Sequence, residues 1–111
     1  MPRLKSEIWI KAHIRRCQGE GAFAVIVRKG NAEAGAIAIK VYAGIGQARL
    51  LMQSMSIDGE MIWWDVFGEL VEEGKVDKRL TSEADIDPDI WIIEIEGCDG
   101  YGFVEVSKSL S

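Results

Sequence analysis

Apolar residues recur along this chain in two rhythms. Residues 5–18, KSEIWIKAHIRRCQ, hold neither Gly nor Pro and predict a helix. Ile8, Trp9 and Ala12 begin a wide apolar side that Ile10, Ile14 and Cys17 extend, while Lys11 and Arg15 share the polar edge. Ser6 is placed to cap this helix, and Gly19 and Gly21 to end it. The period then shortens to two. AFAVIVRKG and GAIAIKVYAG, rich in β-branched residues, predict a hairpin closed by the turn residues of GNAEAG. Alternation sets Phe23, Val25 and Val27 on one face with Ile37, Ile39 and Val41.

A second pair of strands, ARLLMQSMS and EMIWWDVF, is joined through Ile57-Asp58-Gly59, a hairpin signal. In EEGKVDKRLTSEADI the period lengthens again: Val76, Leu80 and Ala84 make a narrow stripe on a charged helix. Pro88 forces Asp87 out of helical geometry. DIWIIEIE is then a strand with Trp91, Ile93 and Ile95 on one side and Ile92, Glu94 and Glu96 on the other. A turn at Asp99-Gly100 returns the chain as YGFVEV, with Tyr101 and Phe103 on one face and Val104 and Val106 on the other. The order is helix, two hairpins, helix, hairpin. It predicts one α+β domain over residues 1–111, with a mainly antiparallel sheet of about six strands and two helices packed on one face.

Composition narrows the class. Hydrophobic residues make up 48% and charged residues 28% of the 111, as in soluble globular proteins. No apolar run is long enough to span a membrane, and MPRLKSEIW lacks the apolar stretch of a signal peptide. Cys17 and Cys98 read as thiols of a reducing compartment, so a cytoplasmic location is expected. The net charge of −5 is unevenly spread. Residues 1–30 carry seven Lys/Arg against Glu7 and Glu20, and the remainder carries six against sixteen acids. Arg3, Lys5, Lys11, Arg15 and Arg16 thus offer a basic face to nucleic acid, or to the acidic part of this chain or of a second copy.

No stretch specifies an activity. GYGFV resembles the ribonucleoprotein signature, but Asp99 stands where that signature needs a cation and Glu94, Glu96 and Glu105 would repel phosphate. GIGQAR, Gly44 to Arg49, lacks the third glycine of a dinucleotide loop and leads into a strand, so it reads as a strand connection. His13 is the only histidine, and no nucleophile elbow, phosphate loop or paired-cysteine motif occurs. No cofactor or metal is expected. Cys17, near Arg15 and Arg16, is a thiol whose pKa the two cations could lower. Asp87, Asp89 and Glu94 are the carboxylates on which an enzyme or small-molecule site beside tryptophans would be built. Trp63 and Trp64, adjacent on a strand, must point to opposite faces; with Ile62 they form the candidate interface.

Three stretches in order, LKSEIWIKAHIRR, GAFAVIVRKG…AGAIAIKV and DPDIWIIEIE, resemble domain-of-unknown-function family 1491, small proteins mostly from alphaproteobacteria. The likeness is most specific at Ser6-Glu7-Ile8-Trp9 and Asp87-Pro88-Asp89-Ile90-Trp91. It implies a small cytoplasmic bacterial α+β protein and brings no activity, cofactor or catalytic residue. The reading is therefore a non-enzymatic interaction module that self-associates or meets another protein. The alternatives are a weak nucleic-acid binder through the basic helix, or a small-molecule binder or enzyme using Asp87, Asp89 and Glu94.

Overall fold

The computed structural model describes residues 5–55, 57–98 and 100–106. Helix α1 (Ser6–Gly19) leads into β1 (Phe23–Arg28), β2 (Ile37–Gly44), β3 (Gln47–Met55) and β4 (Met61–Asp65). A two-residue β5 (Val71–Glu72) precedes α2 (Glu73–Ile86), and β6 (Trp91–Glu96) follows. The strands form one sheet in the order β1-β6-β2-β3-β4, with β5 paired to β3. Every pairing is antiparallel except β2 with β6, which is parallel. This is the α+β fold that the alternating periods predict. No helix among the described residues is long and apolar enough to cross a membrane.

The expected hairpin of β1 with β2 does not form. β6 lies between them, antiparallel to β1 and parallel to β2. The reason is the loop at 30–36, which serves as a socket rather than a turn. Asn31 N–H donates to the Asp89 carbonyl (2.9 Å), and Trp91 N–H donates to that of Ala36 (2.8 Å). The Trp91 indole Nε1–H reaches the Asn31 carbonyl (2.7 Å), and Arg28 donates to the Pro88 (3.0 Å) and Ile90 (2.8 Å) carbonyls. Gly30 and Gly35 permit this approach, because a Cβ on either would overlap the Asp89 carbonyl oxygen. Helix α1 is tied to the same loop. Ser6 N–H donates to Glu33 and Glu7 N–H to Ala32, while the Ser6 hydroxyl donates to the Gly35 carbonyl (2.6 Å). Ser6 is thus the buried first residue of α1 and not its cap; Lys5 holds the cap position without a side-chain bond.

The helices, expected together on one face, pack on opposite faces. Ile10 and Cys17 of α1 join Ile37, Ile39, Val41, Leu51, Trp63, Trp91, Ile93 and Ile95 in one core. Val76 and Leu80 of α2, with Ala84 beside them, join Ala38, Ala48, Leu50 and Ile92 in a second core on the other face. β2, β3 and β6 carry apolar residues at both parities, so both faces need cover. The buried stripe of α1 is Ile10, His13 and Cys17, at helical spacing, whereas Ile8 and Ala12 face solvent. In α2 the predicted stripe of Val76, Leu80 and Ala84 is the buried one, and Asp87 leaves the helix with extended dihedrals. GIGQAR is the β2–β3 turn, and β3–β4 is the predicted hairpin.

The facing of β1 is reversed. Phe23 pairs with Glu96 and Val25 with Glu94, which places them on the α2 face; Ala24 and Ile26, paired with Ile95 and Ile93, share the α1 face with Ile37, Ile39 and Val41. The register slips between Ile26 and Arg28. YGFVEV is no return strand. Tyr101–Phe103 are turns, Phe103 at φ 66°, and the segment meets the sheet through one parallel bridge of Val106 to Trp63. Asp99, half of the predicted turn, lies outside the described residues.

Gly35→Ala is expected to cost about 3 kcal/mol, since the obstructing atom belongs to the backbone that carries β6 into the sheet. A urea unfolding curve checks this, and an unshifted midpoint would show that the socket yields freely.

Candidate functional site

Strand order decides what remains uncovered. β6 is buried along almost its whole length and takes β1's inner edge, so β1 becomes the end of the sheet. Helix α2 packs over β2 and β3, leaving the β1 end of that face open. Phe23 is 72% exposed, Val25 44%, Ile26 43% and Val27 58%, four apolar side chains on one edge strand. The opposite end differs, because Val106 bridges to Trp63 on β4. Between β1 and α2 runs a groove of about 430 Å³, lined by Val27, Arg28, Ile92, Leu80, Ala84 and Asp85 among others.

The sequence candidates are dispersed over the molecule. Trp63 and Trp64 do face opposite ways, and neither is the exposed anchor. Trp63 is buried in the α1-side core, with its ring 5.3 Å from that of Trp9. Trp64 and Ile62 are half-buried, Trp64 paired across the strands with Met52. On the basic helix, Lys5 pairs with Glu33 (3.4 Å) and Lys11 with Glu7 (3.6 Å). Arg15 and Arg16 are exposed, and Arg3 lies outside the described residues. Asp87 accepts the Asp89 N–H (3.0 Å), shaping the turn before β6, while Glu94 stands 3.6 Å from Lys40. The groove beside β1 is lined by none of Asp87, Asp89 and Glu94. Among the described residues no group of three or more His, Cys, Asp and Glu is placed to hold a metal.

Two polar clusters escaped the sequence reading. Lys40, buried in β2, donates to Glu73 (2.7 Å) and Asp77 (2.7 Å) of α2, with Glu94 beside it. Burial alone would lower its pKa, but the bonds to Asp77 and Glu73 and the field of Glu94 reverse this, so it is raised and the ammonium stays charged. The signal was present: Glu73 and Asp77 are four apart on one helix face, and Lys40 interrupts an otherwise apolar strand. The second cluster is His13, buried and stacked on Trp9 with centroids 4.6 Å apart. Its Nε2 lies 2.8 Å from the Gly102 carbonyl, an acceptor only, so Nε2 carries the proton. Burial lowers its pKa, opposed by the Gly102 bond and aided by Arg16. His13, Trp9, Arg16, Trp63 and Phe103 border a cleft of about 500 Å³, but Trp9 already stacks on His13 and lies against Trp63. The cluster fastens α1 to the 100–106 segment and to β4. The Cys17 thiol is pushed up, not down: it is buried, and Cys98 nearby adds to the effect, outweighing Arg16.

A helix on each face of a mixed, mainly antiparallel sheet, with no converging catalytic set among the described residues, defines a small α+β protein. The chain belongs to the DUF1491 family, described as proteins of unknown function, which it matches over residues 4–105. It is similar to the crystal structure of a DUF1491 family protein from Caulobacter crescentus CB15, at 42% identity and TM-score 0.83, covering 92% of this chain and 95% of that one. The NMR structure of a DUF1491 family protein from the same organism gives 40% identity and TM-score 0.85, over 98% and 100% of the chains. The solution structure of an A. tumefaciens protein gives 27% identity and TM-score 0.83, over 97% and 98%. No curated protein matches the chain.

Lys40→Met is expected to cost about 2 kcal/mol, below the usual loss for a broken buried pair because Glu73 and Asp77 are solvated enough to relax. Chemical denaturation would read it. His13 sets a pH dependence of defined sign. Its folded pKa lies below the 6.5 of the unfolded chain, so its contribution is complete above pH 6.5 and is lost as pH falls through the folded value. The urea midpoint of the wild type should drop across that window, and His13→Gln should remove the drop.

Proposed function

We propose that this protein is a non-enzymatic interaction module that associates with a second copy of itself. The observation that carries this reading is the β1 edge. Phe23, Val25, Ile26 and Val27 are all more than two-fifths exposed on a strand that ends the sheet. An edge strand with open backbone groups and apolar side chains is a ready template for another strand. Two of the devices that usually blunt such an edge are missing, since FAVIVR has no proline and its one charge comes last, at Arg28; the register slip after Ile26 is confined to the far end of the strand. Trp63, Trp64 and Ile62 are less suited, since Trp63 belongs to the core.

The basic helix is the weaker alternative, because Lys5 and Lys11 already answer Glu33 and Glu7, leaving Arg15 and Arg16. Phosphate binding through so few contacts would fade quickly with salt. A role for Asp87, Asp89 and Glu94 is weaker still, since Asp87 bonds to the Asp89 amide and Glu94 to the Lys40 cluster.

Light scattering across a hundredfold concentration range tests the reading. The wild type is expected to pass from monomer to dimer. Val25→Lys, which puts a charge on an already exposed position, is expected to remain monomeric with an unchanged circular dichroism spectrum. A wild-type chain that is monomeric throughout would sink the proposal.

A further inference from the structure

We infer that the second copy docks by antiparallel pairing of β1 with β1 about a two-fold axis perpendicular to the sheet, joining the two sheets into one. This rests on the self-association proposed above and specifies its geometry. Three features of the strand make it complementary to itself in that direction.

The first is charge. Glu20 precedes β1, and Arg28 and Lys29 close it. Glu20 and Lys29 are exposed and make no ion pair within the chain, among the described residues. Arg28 donates to the Pro88 and Ile90 carbonyls and makes no ion pair among the described residues. Antiparallel pairing centred near Val25 brings the start of β1 in each copy, with Glu20 at the end of α1 just before it, toward the end of the other that carries Arg28 and Lys29. A parallel arrangement would set like charges side by side.

The second is shape. Phe23, the most exposed apolar residue of β1, stands at one end of the strand, and the groove between β1 and α2 opens at the other, beside Val27. In the same register, residue 23 of one copy lies opposite residue 27 of the other, on the α2 face. Phe23 of each copy therefore meets the groove walls formed by Val27, Ile92, Leu80 and Ala84 of its neighbour. One such contact generates its mate, as a closed two-fold interface requires.

The third is continuity of faces. Because the axis is perpendicular to the sheet, the two α2 helices end on the same side, and Val25 meets its own counterpart on that side. The exposed Ile26 lies opposite Ala24 on the other.

Charge exchange tests this directly. Glu20→Lys and Lys29→Glu are each expected to raise the dimer dissociation constant about tenfold, because two attractive pairs become repulsive at the rim. An equimolar mixture of the two variants is expected to recover most of the lost affinity as a heterodimer, since position 20 of each copy then faces the opposite charge at position 29 of the other, with Arg28 opposing this at only one of the two rims. Phe23→Ala is expected to weaken the dimer about tenfold with the monomer fold retained, as read by circular dichroism. Sedimentation equilibrium reads these four samples beside the wild type. If the wild type dimerises but neither charge variant weakens it, or the mixture fails to recover, this geometry is wrong while self-association stands. If the wild type never dimerises, both fail.

Discussion

The fold depends on a set of backbone hydrogen bonds at the loop 30–36, where the chain accepts a strand that it will not make for another fifty-odd residues. Asn31, Ala36 and the indole of Trp91 align β6 between β1 and β2, and Arg28 holds the Pro88 and Ile90 carbonyls just before it. Burying so many backbone groups is stable only because each finds a partner. The socket also fixes the helix: Ser6 and Glu7 satisfy the carbonyls of Glu33, Ala32 and Gly35, so the start of α1 and the start of β6 share one loop. The two most specific family stretches, Ser6 to Trp9 and Asp87 to Trp91, are thus the two sides of a single junction.

From that junction the rest follows. A strand inserted at the centre must be apolar on both faces, and Trp91, Ile92, Ile93 and Ile95 are all buried. A parallel β2–β6 pair needs a crossover, which α2 supplies by covering the face that α1 does not. Displaced from β2, β1 keeps one neighbour among the described residues, and Phe23 and Val25 on the α2 side are left exposed. The exposed apolar edge is a consequence of where β6 goes.

Local pattern made most elements legible: both helices, the β3–β4 hairpin, the GIGQAR turn and the stripe of α2. Each depends on side chains within a few turns of one another. Legibility ended where partners are distant in sequence. AFAVIV is apolar at both parities, so alternation could not choose its face; the small side chains at Ala22 and Ala24, which lie buried in the core beside Cys17, were the available hint. Ser6 has the composition of a cap, and only the position of Gly35, 29 residues away, makes it a buried donor. His13 reads as a packed or surface histidine near Trp9 at helical spacing, and only the distant Gly102 carbonyl shows which bond it makes when buried between Ile10 and Cys17. GYGFVEV has the look of a strand, yet Gly102 must present its carbonyl to His13, and the turn that does so ends any ladder.

The two ends of the sheet are treated differently, and the difference bears on function. On β4 the chain spends its last described residues closing the edge: Val106 bridges to Trp63, and Tyr101 lies under the Arg49 guanidinium, which also bonds Asp65. On β1 the composition does the opposite of what protection requires. Charges that could have been spaced along the strand stand outside or at its ends, Glu20 before it and Arg28 and Lys29 at its close. Charges placed within an edge strand repel any incoming strand, whereas charges of opposite sign at the two ends repel only the wrong direction. The same number of ionised groups therefore changes its meaning with position. Spread along FAVIVR they would make β1 a barrier; gathered at its ends they leave a strand that discriminates the direction of its partner.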